Sequence, residues 1–407
     1  MTLRRGICPG LADPLPAGDG LLARLAVTRP VPLETFAALC TGARAHGNGI
    51  LEITSRGSLQ VRGLTPISAP NFAAAMTTLD LADAAGGRVL TGPLSEVDPH
   101  EILDVGAVAD RLRDLLVESG LAAGLAPKVS VVFDGGGALH LDAVPCDIRL
   151  RAESAGGVIG FDVTIATESA NPVTLGTIAP EHAIKTVLEL LHAIAAQGPE
   201  ARARDLPLPA RFARQGERQS ARSPAQPIGT HSLRDGTVAL GIGLSFGHSN
   251  SETLQRVIEE TRRVGAASVR PAPGRVLLLI GVAPAQASEL ATEAERLGFI
   301  TKPDDPRRRV VACAGQPACA AAEIPTRALA PKIAAAARLE RQTIHISGCA
   351  KGCAHPGVAD VTVVGAGGQC GIVPNGRAQD APIEFVAPED LSEYFVRRAV
   401  TRETAHG

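Results

Sequence analysis

The residues best suited to chemistry are two cysteine pairs in the last quarter of the chain. Cys349 and Cys353, separated by three residues, lie in His345-Ile-Ser-Gly-Cys-Ala-Lys-Gly-Cys-Ala-His-Pro-Gly357. Gly348, Gly352 and Gly357 hold that loop open, and Thr343-Ile-His-Ile346 before it reads as a buried strand. Cys313 and Cys319 form the second pair, just past the strand-like run Arg309-Val-Val-Ala312. Four thiolates from two strand-end loops can converge on one inorganic centre. Glycines there let backbone N–H groups approach sulfur and tune its potential. The pattern reads as a [4Fe–4S] site with Cys313, Cys319, Cys349 and Cys353 as ligands. Structural zinc is the alternative, although a Cys-x5-Cys spacing is loose for it. Disulfides are disfavoured, because the chain has no export signal and 407 residues need no staple. Cys8, Cys40, Cys146 and Cys370 are read as bystanders, Cys8 as a small apolar plug under the Cys8-Pro-Gly10 turn.

Composition narrows the partners. The net charge of −2 gives no basic field for nucleic acid or an anionic membrane surface. Aromatic residues make up 2% of the chain, so stacking platforms for single strands are scarce. No apolar run approaches the ~18 residues of a membrane span, and the cytoplasm is the expected address. Hydrophobic residues at 45% supply cores for two or three domains. Lysines are few, namely Lys128, Lys185, Lys302, Lys332 and Lys351, and therefore more informative than the abundant arginines.

The elements that must position the cysteines fall into a repeat. From Asp19-Gly20 a strand runs through Leu21–Val27, a helix spans Leu33–His46, and strands at Gly49–Thr54 and Leu59–Leu64 flank Ser55-Arg-Gly-Ser58. Phe36, Leu39, Cys40 and Ala43 lie at helical spacing on one face. The same β-α-β-β order recurs from Asp235-Gly236: a strand at Thr237–Leu244, a helix at Ser251–Val264, then strands at Gly265–Arg270 and Arg275–Gly281. Arg56 and Arg270 take similar places after the third element. Two such units can pair into one domain. After each comes an α+β segment. The first has a helix at Ala107–Ser119, strands at Val129–Phe133, Leu139–Leu141 and Val158–Ala166, and a helix at Pro180–Ala196. The second holds the four cysteines, a helix near Thr326–Leu339 and a strand at Asp360–Val364. The expected division is 1–85 for the first half-domain, 86–200 for the first α+β segment, 201–233 for an Arg- and Pro-rich linker, 234–304 for the second half-domain and 305–407 for the cysteine-bearing segment.

This organisation resembles the nitrite and sulfite reductase superfamily over nearly the whole chain. Thr54-Ser-Arg56-Gly-Ser-Leu-Gln60-Val-Arg62 is similar to that superfamily's Thr-x-Arg-x-x-x-Gln signature, whose Arg faces a bound tetrapyrrole. Leu125-Ala-Pro-Lys128-Val-Ser130 falls where sirohaem reductases carry Lys-x-Lys. Arg5-Gly-Ile-Cys-Pro-Gly10, Gly18-Asp-Gly20 and both cysteine motifs look more specifically like the precorrin-3B synthase family. Ser130 is the main departure from the reductases. Reducing sulfite or nitrite needs several cations around the anion, and losing one is harmless for an enzyme acting on another substrate.

The resemblance implies an α+β fold of duplicated, nitrite/sulfite reductase-like architecture, with ferredoxin-like half-domain repeats and two α+β segments around a tetrapyrrole cleft. It implies an O2-dependent monooxygenase that converts precorrin-3A to precorrin-3B by ring hydroxylation and γ-lactone formation in aerobic cobalamin synthesis. The implied cofactors are a [4Fe–4S] cluster and a mononuclear non-haem iron, without sirohaem; the electrons would come from NADH through a reductase. Arg56, Arg62, Arg88, Lys128 and Arg270 are the candidate binders of the substrate's carboxylates. Lys351 and His355 are the candidate catalytic residues, and His345 and His355 flank the cysteine loop as possible iron ligands. A sirohaem-dependent reductase and a non-catalytic iron–sulfur electron carrier remain the alternatives. Serine at Cys313, Cys319, Cys349 or Cys353 is expected to remove most iron and acid-labile sulfide from the purified protein. Serine at Cys8, Cys40, Cys146 or Cys370 should leave both at the wild-type level.

Overall fold

The computed structural model describes residues 9–81, 88–167, 172–207, 222–336 and 342–403. Cys8, with the rest of the Arg5–Cys8 stretch, lies outside the described residues, as do residues 208–221 of the expected linker and the end of the helix expected near Thr326–Leu339. No helix among the described residues is long and apolar enough to cross a membrane.

Each β-α-β-β copy builds most of a sheet and borrows the rest. The first sheet orders Leu15–Ala17, Gly20–Leu25, Leu59–Leu64, Ile50–Ile53 and His248–Asn250, all neighbours antiparallel. The second orders Gly229–Ser232, Val238–Gly243, Val276–Val282, Ser268–Ala272 and Val31–Pro32. Thus His248–Asn250 of the second copy closes the first sheet, and Val31–Pro32 of the first copy closes the second. An open edge exposes unpaired N–H and C=O groups; the exchange covers one edge of each sheet. One continuous core follows, with Phe36, Leu39, Leu51 and Val61 packed together with Leu254, Val257, Leu277 and Leu279.

The helices obey their sequence patterns. Helix Leu33–His46 buries Leu33, Phe36, Leu39, Cys40 and Ala43, and Gly47 donates its N–H to the Ala43 carbonyl at its end. Helix Ser251–Arg263 is N-capped by Asn250, whose side-chain oxygen accepts from the Thr253 N–H at 2.7 Å. Gln255 reaches from this helix to Thr41 Oγ1 at 2.9 Å, fastening the two copies helix to helix. The hairpin tips also meet: Gly274 donates its N–H to the Ser55 carbonyl at 3.1 Å. Gly57, at φ +84°, sits so close that a Cβ would come within 2.9 Å of the Ala272 carbonyl carbon.

A second duplication supports the first. Strands Val89–Thr91, Val131–Asp134 and Ile148–Ala155 run parallel, then Val158–Ile165 and Val173–Ile178 turn antiparallel. Strands Val310–Ala312, Ile344–Ser347 and Ala359–Ala366, followed by Gln369–Gly376 and Glu384–Val386, repeat that order and sense. Helix Gly106–Glu118 crosses over between the first two parallel strands of one sheet, and Thr326–Ala336 does so in the other.

Several expectations are corrected. Leu139–Leu141 is a turn, and Leu139 packs against Leu94 and Leu278 rather than in a sheet. Strand Ile148–Ala155 escaped the reading because Arg149 and Arg151 interrupt its apolar pattern. Strand Gly229–Ser232 lies inside the stretch taken as linker, where Gly-Thr-His-Ser offers no apolar signal. Arg270 is not the counterpart of Arg56. It lies within strand Ser268–Ala272, opposite Leu278, whereas Arg56 sits in a hairpin turn; the turn arginine of the second copy is Arg275. Replacing Phe36 by alanine is expected to lower stability by about 3–5 kcal/mol, read as an earlier midpoint in urea unfolding.

Candidate active site

Strand alternation builds one wall of an open cleft with about 1480 Å³ of space. In the first sheet Ala23, Leu25, Leu51, Ile53, Leu59 and Val61 enter the core. The intervening Arg24, Glu52, Gln60 and Arg62 therefore face the other way, into the cleft. Gln60 lies directly across from both Arg24 and Glu52. The hairpin tip Thr54–Ser58, Lys128, and Phe246, Gly247 and Arg275 of the second copy complete the walls. Facing them are Cys313, Ala314, Cys353, Ala354 and Arg327.

The cysteine loops leave neighbouring parallel strands on the same edge, since Ala312 is in register with Ile346. The Cys313 N–H bonds the Ile346 carbonyl at 3.2 Å, and the Gly348 N–H donates to Cys313 Sγ at 3.1 Å. A Cβ on Gly348 would lie 2.6 Å from that of Ala322, so glycine permits this approach. Thr326 Oγ1 donates to the Cys313 carbonyl at 2.6 Å and pins the loop to the following helix. Burial pushes the Cys353 thiol up, and the neighbouring Cys349, Cys313 and Cys319 raise it further. Thus the other three sulfurs lie within electrostatic reach of that of Cys353. Among the described residues no three His, Cys, Asp or Glu side chains surround a single metal ion. In a cubane cluster each iron takes one cysteine sulfur, and the two cysteine pairs on loops leaving neighbouring strands supply four such donors. Cys40 and Cys370 are buried, and desolvation pushes their thiols up to about 12 and about 11.

The cations divide into held and free. Arg62 is buried, gripping Asp19 through Nε at 2.9 Å and Nη2 at 2.8 Å, hydrogen-bonded to the Ala318 carbonyl and 3.5 Å from Glu52. Arg327 pairs with Glu52. With the Gln60 amide oxygen turned toward Arg24, they meet at 2.7 Å. Arg56 and Lys128 are exposed in the cleft and make no ion pair or hydrogen bond among the described residues. Arg88 stands outside the cleft, donating to the carbonyls of Ala126 at 2.8 Å and Ala122 at 3.1 Å behind Lys128. Arg270 is also elsewhere, bonded to the Thr28 carbonyl at 2.7 Å and Thr91 Oγ1 at 3.0 Å; burial lowers its pKa to about 10. Lys351 is exposed on the cysteine loop and does not line the cleft. Ser130 is buried, its N–H bonded to Asp147 at 3.0 Å, so the position two after Lys128 does not face the cleft.

The sequence reading missed Arg24, Glu52, Arg275, Arg327 and Phe246. Strand alternation could have found Arg24 and Glu52, and the second hairpin turn could have found Arg275. Nothing local marks Arg327 or Phe246.

Two duplicated pairs of α+β units with paired cysteines beside a cationic cleft define a nitrite/sulfite reductase-like fold. The solved structure of Mycobacterium tuberculosis NirA matches at TM-score 0.66, covering 93% of this chain and 80% of that one at 17% identity. No family model matches the sequence. Among curated proteins, a precorrin-3B synthase of Sinorhizobium sp is 35% identical over 405 residues, 97% of this chain and 88% of the relative. The ferredoxin–nitrite reductase of Synechococcus elongatus is 25% identical over 78% of this chain and 70% of its own length. The chain belongs to the precorrin-3B synthase family.

His345 lies beneath the cysteine loop on strand Ile344–Ser347, fully buried, with neither ring nitrogen hydrogen-bonded among the described residues. Its ring meets that of His355 edge-on at 5.6 Å, while His355 Nε2 lies 3.1 Å from the Val358 carbonyl oxygen. Burial, then His355 and Arg275, lowers the His345 pKa from 6.5 to about 4. The unfolded chain therefore binds a proton at a higher pH than the fold does, and stability falls as pH drops through that interval. His345→Phe should flatten this acid limb: urea midpoints measured between pH 6.5 and 4 should fall less than in wild type.

Proposed function

We propose that this chain inserts one oxygen atom of O2 into precorrin-3A and closes a γ-lactone, yielding precorrin-3B. The second oxygen atom leaves as water, with two electrons and two protons from an external donor; NADH through a separate reductase is the source we favour. The observation that carries the reading is a cleft whose Arg56 and Lys128 have no carboxylate partner among the described residues, in a chain of this family. A tetrapyrrole bearing many carboxylates supplies the missing charge.

In this reading Cys313, Cys319, Cys349 and Cys353 hold a [4Fe–4S] cluster, which when bound supplies single electrons at the cleft wall. The chain's own residues bind and orient the substrate. Arg56 and Lys128 take carboxylates through charge-assisted hydrogen bonds. Arg62, neutralised by Asp19, holds the sheet against the Cys319 loop, and Phe246 offers an apolar surface to the macrocycle. The mononuclear iron fares differently: the described residues supply no set of three side chains for it, and we assign it no step. The buried nitrogens of His345 are the donors nearest to such a role.

Isotopically labelled O2 provides the test. With precorrin-3A and an electron supply, label is expected in the new hydroxyl, while the lactone ring oxygen comes unlabelled from a side-chain carboxylate. Product formed without O2, or a hydroxyl labelled from water, would overturn the proposal. Fast turnover of nitrite or sulfite would assign the chain to reductase chemistry instead.

A further inference from the structure

We infer that Arg275, lying across Gly247, is a carboxylate-binding subsite on the cleft wall contributed by the second copy, and that it holds one acidic arm of a tetrapyrrole beside Cys353. The inference rests on the tetrapyrrole reading above and adds a residue that no motif marks.

Arg275 is the last residue of the turn between strands Ser268–Ala272 and Val276–Val282 and has φ +66°, a left-handed conformation that strains a non-glycine residue. Its carbonyl accepts the Leu244 N–H at 2.9 Å, which ties it to the segment bearing Phe246. Phe246 is itself left-handed, at φ 57° and ψ 18°. Two bulky left-handed residues thus stand together on one wall. Such strain persists only where the surroundings enforce it, and it gathers at ligand-binding sites.

The arm of Arg275 has a built track. A Cβ on Gly247 would come within 2.6 Å of Arg275 Cδ and 2.9 Å of Nε, so the side chain passes where glycine leaves room. At its end the guanidinium makes one long contact, 3.4 Å to the Ala354 carbonyl, next to Cys353. It forms no ion pair among the described residues. Burial lowers its pKa, opposed only by the charge of Glu52. Arg62, Arg307 and Arg202 are neutralised by Asp19, Asp305 and Asp147, and the buried Arg270 is satisfied by the Thr28 carbonyl at 2.7 Å and Thr91 Oγ1 at 3.0 Å; Arg275 has only the one long contact among the described residues. A half-buried cation that forms no ion pair, and whose neighbour Glu52 is already engaged by Arg62 and Arg327, is unfavourably placed, and the guanidinium fork matches a carboxylate bidentately. The missing partner is an anion from the ligand.

Because the left-handed backbone tolerates asparagine, Arg275→Asn removes the cation without imposing new strain. Arg275→Lys keeps the charge and loses the fork. Uroporphyrin, a stable tetrapyrrole with eight carboxylates, serves as the probe, titrated into anaerobically purified protein and followed by its absorbance, with thermal unfolding in parallel. Arg275→Asn should weaken binding about 10- to 100-fold at an unchanged or higher Tm, and Arg275→Lys should weaken it less. Equal affinity in Arg275→Asn and wild type would overturn the inference and leave the function proposed above untouched. A lowered Tm in Arg275→Asn but not in Arg275→Lys would also overturn it, because the cation would then serve the fold. If wild type fails to bind uroporphyrin, the tetrapyrrole reading itself falls, and this inference with it.

Discussion

Neither β-α-β-β copy can complete its own sheet. Each needs an edge strand from the other, His248–Asn250 in one direction and Val31–Pro32 in the reverse. The two copies therefore share one core and bring their hairpin tips together at Ser55 and Gly274. That contact determines where Arg56 and Arg275 stand relative to each other, and so the two ends of the cleft. The cysteine-bearing segment then docks against the first sheet through Arg62, which bonds the Ala318 carbonyl while its charge is met by Asp19 and Glu52. A buried guanidinium is tolerable only with this degree of pairing. Breaking it would leave an unpaired charge between the sheet and the Cys319 loop.

Duplication produced two faces with opposite fates. In the second sheet the positions that alternate with the core are Ala239, Leu278 and Ile280, and Leu94 and Leu139 of the preceding α+β segment cover them with apolar contacts. The corresponding face of the first sheet carries Arg24, Glu52, Gln60 and Arg62 and lines the cleft. Apolar faces close because burial removes them from water; a face lined with charged groups stays hydrated until a ligand of complementary charge displaces that water. One pseudo-equivalent site thus became a packed interface and the other a cleft.

Within the cleft, pairing sorts structural cations from those available to a ligand. Arg62 and Arg327 are neutralised by carboxylates of the chain itself and stiffen the walls. Arg56 and Lys128 are left over, and their charges are the ones a polycarboxylate can meet. Glu52 matters for the same reason: as the one carboxylate lining this cleft among the described residues, it is engaged by Arg327 and Arg62, so it does not repel an acidic substrate as a free carboxylate would.

Much of this was legible in the residues alone. The two cysteine pairs, the recurring β-α-β-β order and the helix at Leu33–His46 follow from local spacing, because turn glycines, strand alternation and helical periodicity are local physics. Arg56 and Lys128 stood out through motifs, and both line the cleft. Arg88 and Arg270 shared their residue type but not their environment; only the packing revealed that Arg88 serves the carbonyls behind Lys128 and that Arg270 lies mid-strand. Arg327, Phe246 and Arg275 became visible only in three dimensions. The exchanged edge strands, as short as the two residues Val31–Pro32, carry almost no pattern of their own. Sequence determines which face a side chain takes within its own element, whereas which elements meet depends on contacts between residues hundreds of positions apart, where the burial of one shared core outweighs local preference.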